Sequence, residues 1–583
     1  MASDLRPGKR ILSGEAATQK LDTGVRIVSD IVGMTMGPKG QSVALRLGGI
    51  GQGKPILTKD GVFVANHIML EDPEEDLGAQ MAVEASRRTN DAAGDGTTCT
   101  VVLLNAMLQE ARKRVKVGSN PIRIQEGMQI EKDAVVAFLQ TNSRPVETQE
   151  DIANIALVSC QDKEIATKIT GIVMEVGKYG TVGVESQTGP YNIDLRVERG
   201  MHFDFGYEPR LTQITAASVV GQLQKKGSAL KLSWENDGVG VLIFDEPVRR
   251  WEDVAHIFSA CVEADRKKLL IIGDFHDDAA VGLQTQMRAE ILLCCTISRS
   301  LFSGETGRET LKDIATYCSA IFLSPAEGTM PSKNNNIPII DSILGSCTAM
   351  VMRDSFSLTA GRGAQKEIDA RIALIEETLK NGGLTDYDKQ KYRERIARFK
   401  AGIGTITISA PTEVQQQSIR TRVDDAVCAI RSANEEGIVP GGGVALLRCY
   451  QWLGLSPEAD KENVDIRAGR EIVRESLLQP ARTIAEVAGE DAGVRLAQLK
   501  RHDWKSPIGY NYWTEEEADL LKDGIIDPKK VVRLCVENAV SVVGELLRTN
   551  ATIVDLPKDE QDDQYVSPRE RALRAHTKRI QQG

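Results

Sequence analysis

With 583 residues, 41% hydrophobic and 26% charged, the chain sits near the globular average, which excludes wholesale disorder and leaves room for roughly three to four domains. Its 72 basic and 82 acidic side chains leave a net charge of −10, the wrong sign for gripping a phosphate backbone, and aromatics at 4% are too sparse to read single strands by stacking, so no nucleic-acid partner is expected. No apolar run has transmembrane length, no hydrophobic signal core opens the N-terminus, and the ten cysteines and six histidines show no CxxC or HExxH spacing, so free thiols, no membrane and a cytoplasmic setting are the expectation.

In chain order, the first distinctive segment is MTMGPKGQSVAL (34–45). Gly37-Pro38 breaks a preceding helix, and alternating apolar residues then start a strand. Carbonyls at Thr35 and Met36 could touch a nucleotide or a cation. GGIGQGKP (48–55) imitates a phosphate loop across Gly48, Gly53 and Lys54. Pro55 stands where such a loop needs a Ser or Thr hydroxyl, so a flexible hairpin tip is the better reading. ILTKDGVFVA (56–65) reads as a hairpin whose turn is Lys59-Asp60-Gly61. NDAAGDGTTCTVVLL (90–104) is the strongest segment. A glycine turn feeds an apolar-periodic helix, whose free N–H groups and positive dipole end form an anion site. Thr97 and Thr98 can add hydroxyls, and Asp95 stands where a carboxylate can hold Mg2+ against phosphate. An ordinary capped helix fits the spacing equally well.

The middle reads differently. GVGVLIFDEP (238–247) and KLLIIGDF (268–275) are short apolar runs around a helical stretch (251–264), a strand–helix–strand unit of an α/β domain. Gly-rich or charged junctions at 176–192 and 380–408 flank it. The expected layout is discontinuous: helical ends fold together, and the middle is carried on a stalk. RVDDAVCAIRSANEEGIVPGGGVALL (422–447) puts Val423, Val427 and Ile430 on one helical stripe and Asp425 off it. Gly441, Gly442 and Gly443 then permit close backbone approach to a ligand. In IGYNYWTEEEADLLKDGIIDPKKV (508–531), Asn511 can read a base or ribose, Tyr512 and Trp513 can flank a flat ring, and Asp527 can accept from ribose hydroxyls. The tail 558–583 is acidic and then basic.

Taken together, GPKG, TKDG, NDAAGDGTT, VDDA…EEG…GGGVAL, GYN…GIIDP…KV and VDLP (554–557), in that order over nearly the whole chain, resemble the GroEL-type group I chaperonins. The resemblance implies a multi-domain α and α/β chaperonin fold. Residues 1–141 and 436–583 would form a mainly helical equatorial ATP-binding domain, 142–198 and 404–435 a small α/β intermediate domain, and 199–403 an α/β apical substrate-binding domain. It also implies a homo-oligomeric ring, usually of seven subunits and in one or two rings, that folds unfolded client proteins in a chamber driven by ATP hydrolysis. Carried over residue by residue, Thr35, Met36, Gly37, Pro38 and Lys59 would approach the phosphates. Thr35, Lys59 and Thr98 would meet K+. Asp95 would hold Mg2+, with Gly96, Thr97, Thr98 and Cys99 donating to phosphate. Gly442 would face the ribose, Asn511, Tyr512 and Trp513 the base, and Asp527 the ribose. Asp425 would swing in as the catalytic carboxylate, assisted by Asp60. Trp251, Val254, Ile257 and Phe258 would contact clients.

Departures accompany the resemblance. Tyr512 and Trp513 follow the base-side Asn, where the family has small residues. Cys99 replaces a Thr and is a weaker donor. Phe205 precedes Gly206-Tyr207 in place of an inter-subunit arginine, although its candidate partner Glu413 is present. Arg422 is kept, but Lys163 sits where its acidic partner belongs, with Asp162 beside it. Gln284, Thr285 and Gln286 stand where a second client-binding helix is more apolar, which implies a narrower client range or independence from a lid co-chaperonin and suits a virus-encoded member. The competing readings are a ring-forming scaffold or holdase with little turnover, and a metabolic kinase. The kinase would need an acceptor pocket with paired acid and base groups, which the sequence does not display.

Overall fold

Apolar residues at helical spacing decide how the chain ends assemble. In the helix Glu15–Gly33, Leu21, Val25, Val28 and Val32 are buried, the stripe expected of a helix laid on a core. It packs on Pro73–Ala93, which starts sharply because Asp72 accepts from the N–H groups of Glu74 and Glu75 and a proline occupies the first turn. Two glycines set the approach: a Cβ on Gly24 would overlap the carbonyl oxygen of Glu75, and one on Gly78 that of Leu21. The helices Pro121–Thr141 and Val464–Ser476 repeat the device, with Gly127 against the carbonyl of Ile466 and Gly469 against that of Ile124. Thr97–Arg114 and Lys529–Arg548 complete the bundle through Leu103, Leu104, Met107, Val536, Val540 and Val543, all buried. The strand Lys9–Ser13 pairs antiparallel with Ala551–Asp555, joining the two ends of the chain.

The computed structural model describes residues 9–46, 55–115, 118–177, 181–203, 205–208, 232–233, 238–302, 304–331, 340–351, 356–380, 386–400, 402–454 and 463–555. The loop read as a hairpin tip (48–55) lies outside them up to residue 54. So do the tail 558–583, the last two residues of VDLP and the side chain of Glu413. Two compact units result: residues 1–170 with 411–583, and residues 171–410. The first is the helical unit above, built from both ends of the chain.

The second unit is organised by a mixed sheet. Its strands run Thr181–Thr188, Gly402–Ala410, Asn192–Phe203, Phe356–Thr359, Gly345–Val351, Val239–Phe244, Lys268–Ile272 and Leu293–Ile297 in spatial order. The last three are parallel, and the helices Ala255–Glu263 and Asp277–Arg288 make the connections between them. The α/β expectation for the middle is met here. Buried Asp313 ties three helices together, accepting from Arg371 at 2.7 Å and from Arg395 at 2.6 Å. Phe205 joins an aromatic cluster with Phe203, Phe302 and Phe356, at centroid distances of 4.9 to 5.8 Å. Packing within the unit therefore occupies the position where the family's arginine would stand.

Two expectations need correction. Residues 56–65 are not a hairpin: Pro55–Thr58 pairs back onto Val43–Arg46, and Gly61–Asn66 is a helix. Asp60 caps it, its Oδ1 accepting from Val62 N at 2.8 Å and Phe63 N at 3.1 Å. Satisfying those otherwise orphaned N–H groups outweighs the strand preference of the β-branched residues. The proposed client contacts also differ from expectation. Val254, Ile257 and Phe258 are at most 2% exposed, and Trp251 stacks on Phe258 at 5.2 Å with Gly282 leaving room for its ring. These side chains fasten their helix to the sheet instead of lining an open groove. Helical spacing alone cannot distinguish a stripe facing a core from one facing a ligand.

Candidate functional site

The turn after the helix Glu15–Gly33 is closed by Gln41 N donating to Met34 O at 2.8 Å, and Gly37 adopts φ 81°, open to glycine. Thr35 Oγ1 donates to Val32 O at 2.8 Å and lies 3.5 Å from Thr98 Oγ1. A second turn, Gly94–Gly96, leads into Thr97–Arg114 with Gly96 at φ 88°. The first intrahelical bond there is Thr100 N to Gly96 O, so the N–H groups of residues 97–99 precede any helical acceptor. Gly61 has no side chain to collide with Thr98 Oγ1, which lets the Asp60 cap lie against this turn.

Asp425 reaches the same place from the helix Glu413–Glu436. Its neighbours Val423, Ala426 and Ile430 are buried. Gly94 leaves room for Cys428, and Ser432 Oγ donates to Ala93 O at 3.0 Å, seating this helix on the glycine turn. Asp527 arrives on the short strand Ile526–Pro528, paired with Ile438–Pro440, opposite Val439 and beside Gly441.

A cavity of about 670 Å3 results. Every residue nominated above for nucleotide, Mg2+ or K+ contact lines it, Asp60, Asp95, Asp425 and Asp527 among them. Lys59 and Lys163 are its basic members. The carboxyl pKa values report the crowding. Asp425 is held well above the usual range, first by burial and then by the charges of Asp95, Asp60 and Asp424. Burial raises Asp95 against the pull of the Gly96 N–H, with Asp60 adding to it. Asp60 is raised by burial against its two capping N–H groups. Burial, with Asp95, lifts Asp527 to about 7. Carboxylates this close resist joint ionisation until a cation arrives. Among the described residues, no three His, Cys, Asp or Glu side chains converge tightly enough to cage a metal. The donor set therefore fits an ion that takes one or two carboxylates and completes its shell with phosphate and water oxygens, as Mg2+ does.

Other nominated residues behave less simply. Cys99 stays a neutral thiol, its pKa raised by a hydrogen bond with Cys535 and by burial. Asn511 has its amide occupied: Oδ1 accepts from Trp513 N at 3.0 Å, and Nδ2 donates to Asp523 at 3.1 Å. Tyr512 is buried edge-on to Tyr510 at 4.8 Å. Trp513 is 67% exposed at the rim, where a flat ring can meet it. Arg422 pairs with Asp162 at 3.6 Å, so the acidic partner has moved by one residue.

Sequence reasoning missed three contributors. Asn154 and Gly524 line the cavity; no motif marks Asn154, and Gly524 opens the GIIDP segment, of which only Asp527 was nominated. Arg448, buried, donates to the carbonyls of Leu499, Ser506 and Ile508 at 2.6 to 2.9 Å. It braces the loop that precedes Asn511.

The helix Gln149–Cys160 behind the cavity is held by a capping box in which Asp151 accepts from Arg144 at 2.6 Å. The guanidinium lowers the Asp151 pKa from 3.8 to about 2. A depressed carboxyl contributes stability above its unfolded pKa and loses it as pH falls through the folded value. Asp151→Asn is expected to cost about 2 kcal/mol at pH 7, with the difference shrinking between pH 4 and pH 2. Urea unfolding midpoints across that range check it.

The profile of the TCP-1/cpn60 chaperonin family matches residues 28–220 and 307–557. Among solved structures, the chain is similar to the chaperonin gp146 from the bacteriophage EL 2 (Pseudomonas aeruginosa), crystallised in the presence of ATP-BeFx. Crystal form II is 20% identical with a TM-score of 0.70, covering 94% of this chain and 99% of that one. Crystal form I is 19% identical with a TM-score of 0.64 over the same shares. The matched profile spans well over half of the sequence, and the chain belongs to the TCP-1/cpn60 chaperonin family.

Proposed function

We propose that the chain is one subunit of a homo-oligomeric ring that hydrolyses ATP to drive the folding of nonnative proteins in a central chamber. The observation that carries this reading is the meeting of Asp60, Asp95 and Asp425, from three distant stretches, around one cavity. In this reading the N–H groups of residues 97–99 bind phosphate oxygens and Asp95 holds Mg2+. Bound Mg2+ supplies charge neutralisation at the phosphates. Thr35, Lys59 and Thr98 meet K+, Gly442 and Asp527 face the ribose, and Trp513 covers the base. Asp425, assisted by Asp60, takes the proton of the attacking water as its oxygen bonds to the terminal phosphorus and the bond to the ADP leaving group breaks. Burial raises the proton affinity of Asp425 toward that required of a base near neutral pH.

The remainder follows the family. Residues 1–141 and 436–583 act as equatorial domain, 142–198 and 404–435 as intermediate, and 199–403 as apical. Seven subunits close each of one or two rings in the cytoplasm of a bacterium or of an infected host cell. A second reading, a ring-forming scaffold or holdase, is favoured by the burial of Val254, Ile257 and Phe258, which leaves less apolar surface for clients. Phosphate release measured with and without a denatured protein, beside negative-stain images of the same sample, tests both. Rings whose turnover rises with denatured protein are expected. Rings that hold clients without turnover favour the scaffold, and an inert monomer defeats both readings.

A further inference from the structure

Two side-chain amides of the cavity, Asn90 on the helix Pro73–Ala93 and Asn154, make no side-chain hydrogen bond among the described residues, and only Asn154 stands near the end that the ring-binding motif borders. Asn511 spends Oδ1 on the backbone N–H of Trp513 and Nδ2 on Asp523, so it shapes its turn and has little left for a ligand. Asn154 lies on the helix Gln149–Cys160, lines the cavity and is half-buried. Gly524 secures its place. That residue takes φ 74° and would drive a Cβ into the Asn154 amide. Only a glycine both adopts this backbone and leaves the amide room. Gly524 directly follows Asp523, the partner of Asn511, so the Asn154 amide stands beside the end of the cavity that Asn511 and Trp513 border.

We propose that Asn154 is the specificity-determining residue of this site, reading the polar edge of an adenine ring. The inference rests on the nucleotide reading above. An amide presents one donor and one acceptor side by side. Adenine offers the complement, an amino donor next to a ring-nitrogen acceptor, whereas guanine shows two acceptors along the corresponding edge. One half of the Asn154 amide therefore goes unmatched against guanine. Trp513 supplies the stacking surface, which tolerates either base.

Titration calorimetry of the full chain with ATP, GTP and inorganic tripolyphosphate tests the assignment, using Asn154→Ala and, as a second variant, Asn154→Asp. Asn154→Ala is expected to weaken ATP binding about tenfold, to change tripolyphosphate binding little and to shrink the preference for ATP over GTP. Asn154→Asp, which keeps the shape but loses the donor, is expected to lose the same preference. Equal losses for ATP and tripolyphosphate, or an unchanged ratio of ATP to GTP affinity in both variants, overturn the proposal. A parent chain that binds tripolyphosphate and ATP equally well also overturns it while leaving a phosphate site standing. A parent chain that binds none of the three defeats the nucleotide reading itself, and this inference with it.

Discussion

Replacing Asp425 with alanine is expected to lower ATP turnover by about 100-fold or more, the usual range for removing a positioned general base, with nucleotide affinity nearly unchanged. The geometry separates the two effects. Asp425 comes from a helix that contributes neither of the glycine turns at the phosphate end, and its carboxyl faces Asp95 and Asp60 without a cap or ion pair of the kind that holds Asp60 in place. Losing it leaves the N–H groups of residues 97–99 and the Asp95 carboxylate intact. The pH profile should carry a second signature. The base works only when ionised, and burial with three neighbouring acids raises its pKa. Parent turnover should therefore fall on acidification at a higher pH than an ordinary carboxylate would give, while the residual rate of Asp425→Ala should lack that step. Steady-state phosphate release from pH 5 to 9 measures both. Unchanged turnover in the variant would remove Asp425 from the chemistry.

The largest stability effect is expected at Gly127. A side chain there meets the carbonyl of Ile466 and the backbone of the helix Val464–Ser476, while Gly469 presses on Ile124 from the other side. Neither contact is the movable end of a flexible side chain, so the helices must separate. Separation exposes part of a core containing Ile124, Met128, Ile472 and Val473, all at most 1% exposed. Gly127→Val gains a few tenths of a kcal/mol in helix propensity, which offsets little of a steric cost that exceeds ordinary overpacking. The sum is about 4 kcal/mol of lost stability, against about 1–3 for typical cases. Urea unfolding monitored by circular dichroism reads it directly. Gly127→Ala should show a smaller loss of the same sign. A variant as stable as the parent would mean that the two helices do not meet so closely.

How much of this was legible beforehand depended on the kind of interaction. The helix Thr97–Arg114 and the parallel strands Val239–Phe244 and Lys268–Ile272 were readable because their period and their glycine turns are local properties. Residues 56–65 were misread because a single cap at Asp60 outweighed an alternating pattern. Trp251 and Phe258, assigned to clients by the family resemblance, differ because matching apolar residue types do not say what a side chain faces. Arg422 found its acid one residue away, at Asp162, since a side chain pairs with whatever charge lies within reach and not with an aligned position. Asn511 looked like the reader of a ring, but a short polar side chain near its own backbone turns inward when N–H groups are available.

The sequence by itself determined the glycine turns, the capped helices and the acidic residue types, all of which depend on neighbours within a few positions. Only the tertiary structure decided which acids share a cavity, which amides remain open to a ligand and which apolar stripes are already covered. Burial and Coulomb coupling act through space, and no spacing along the chain records the distance between residues 60, 95, 154 and 425.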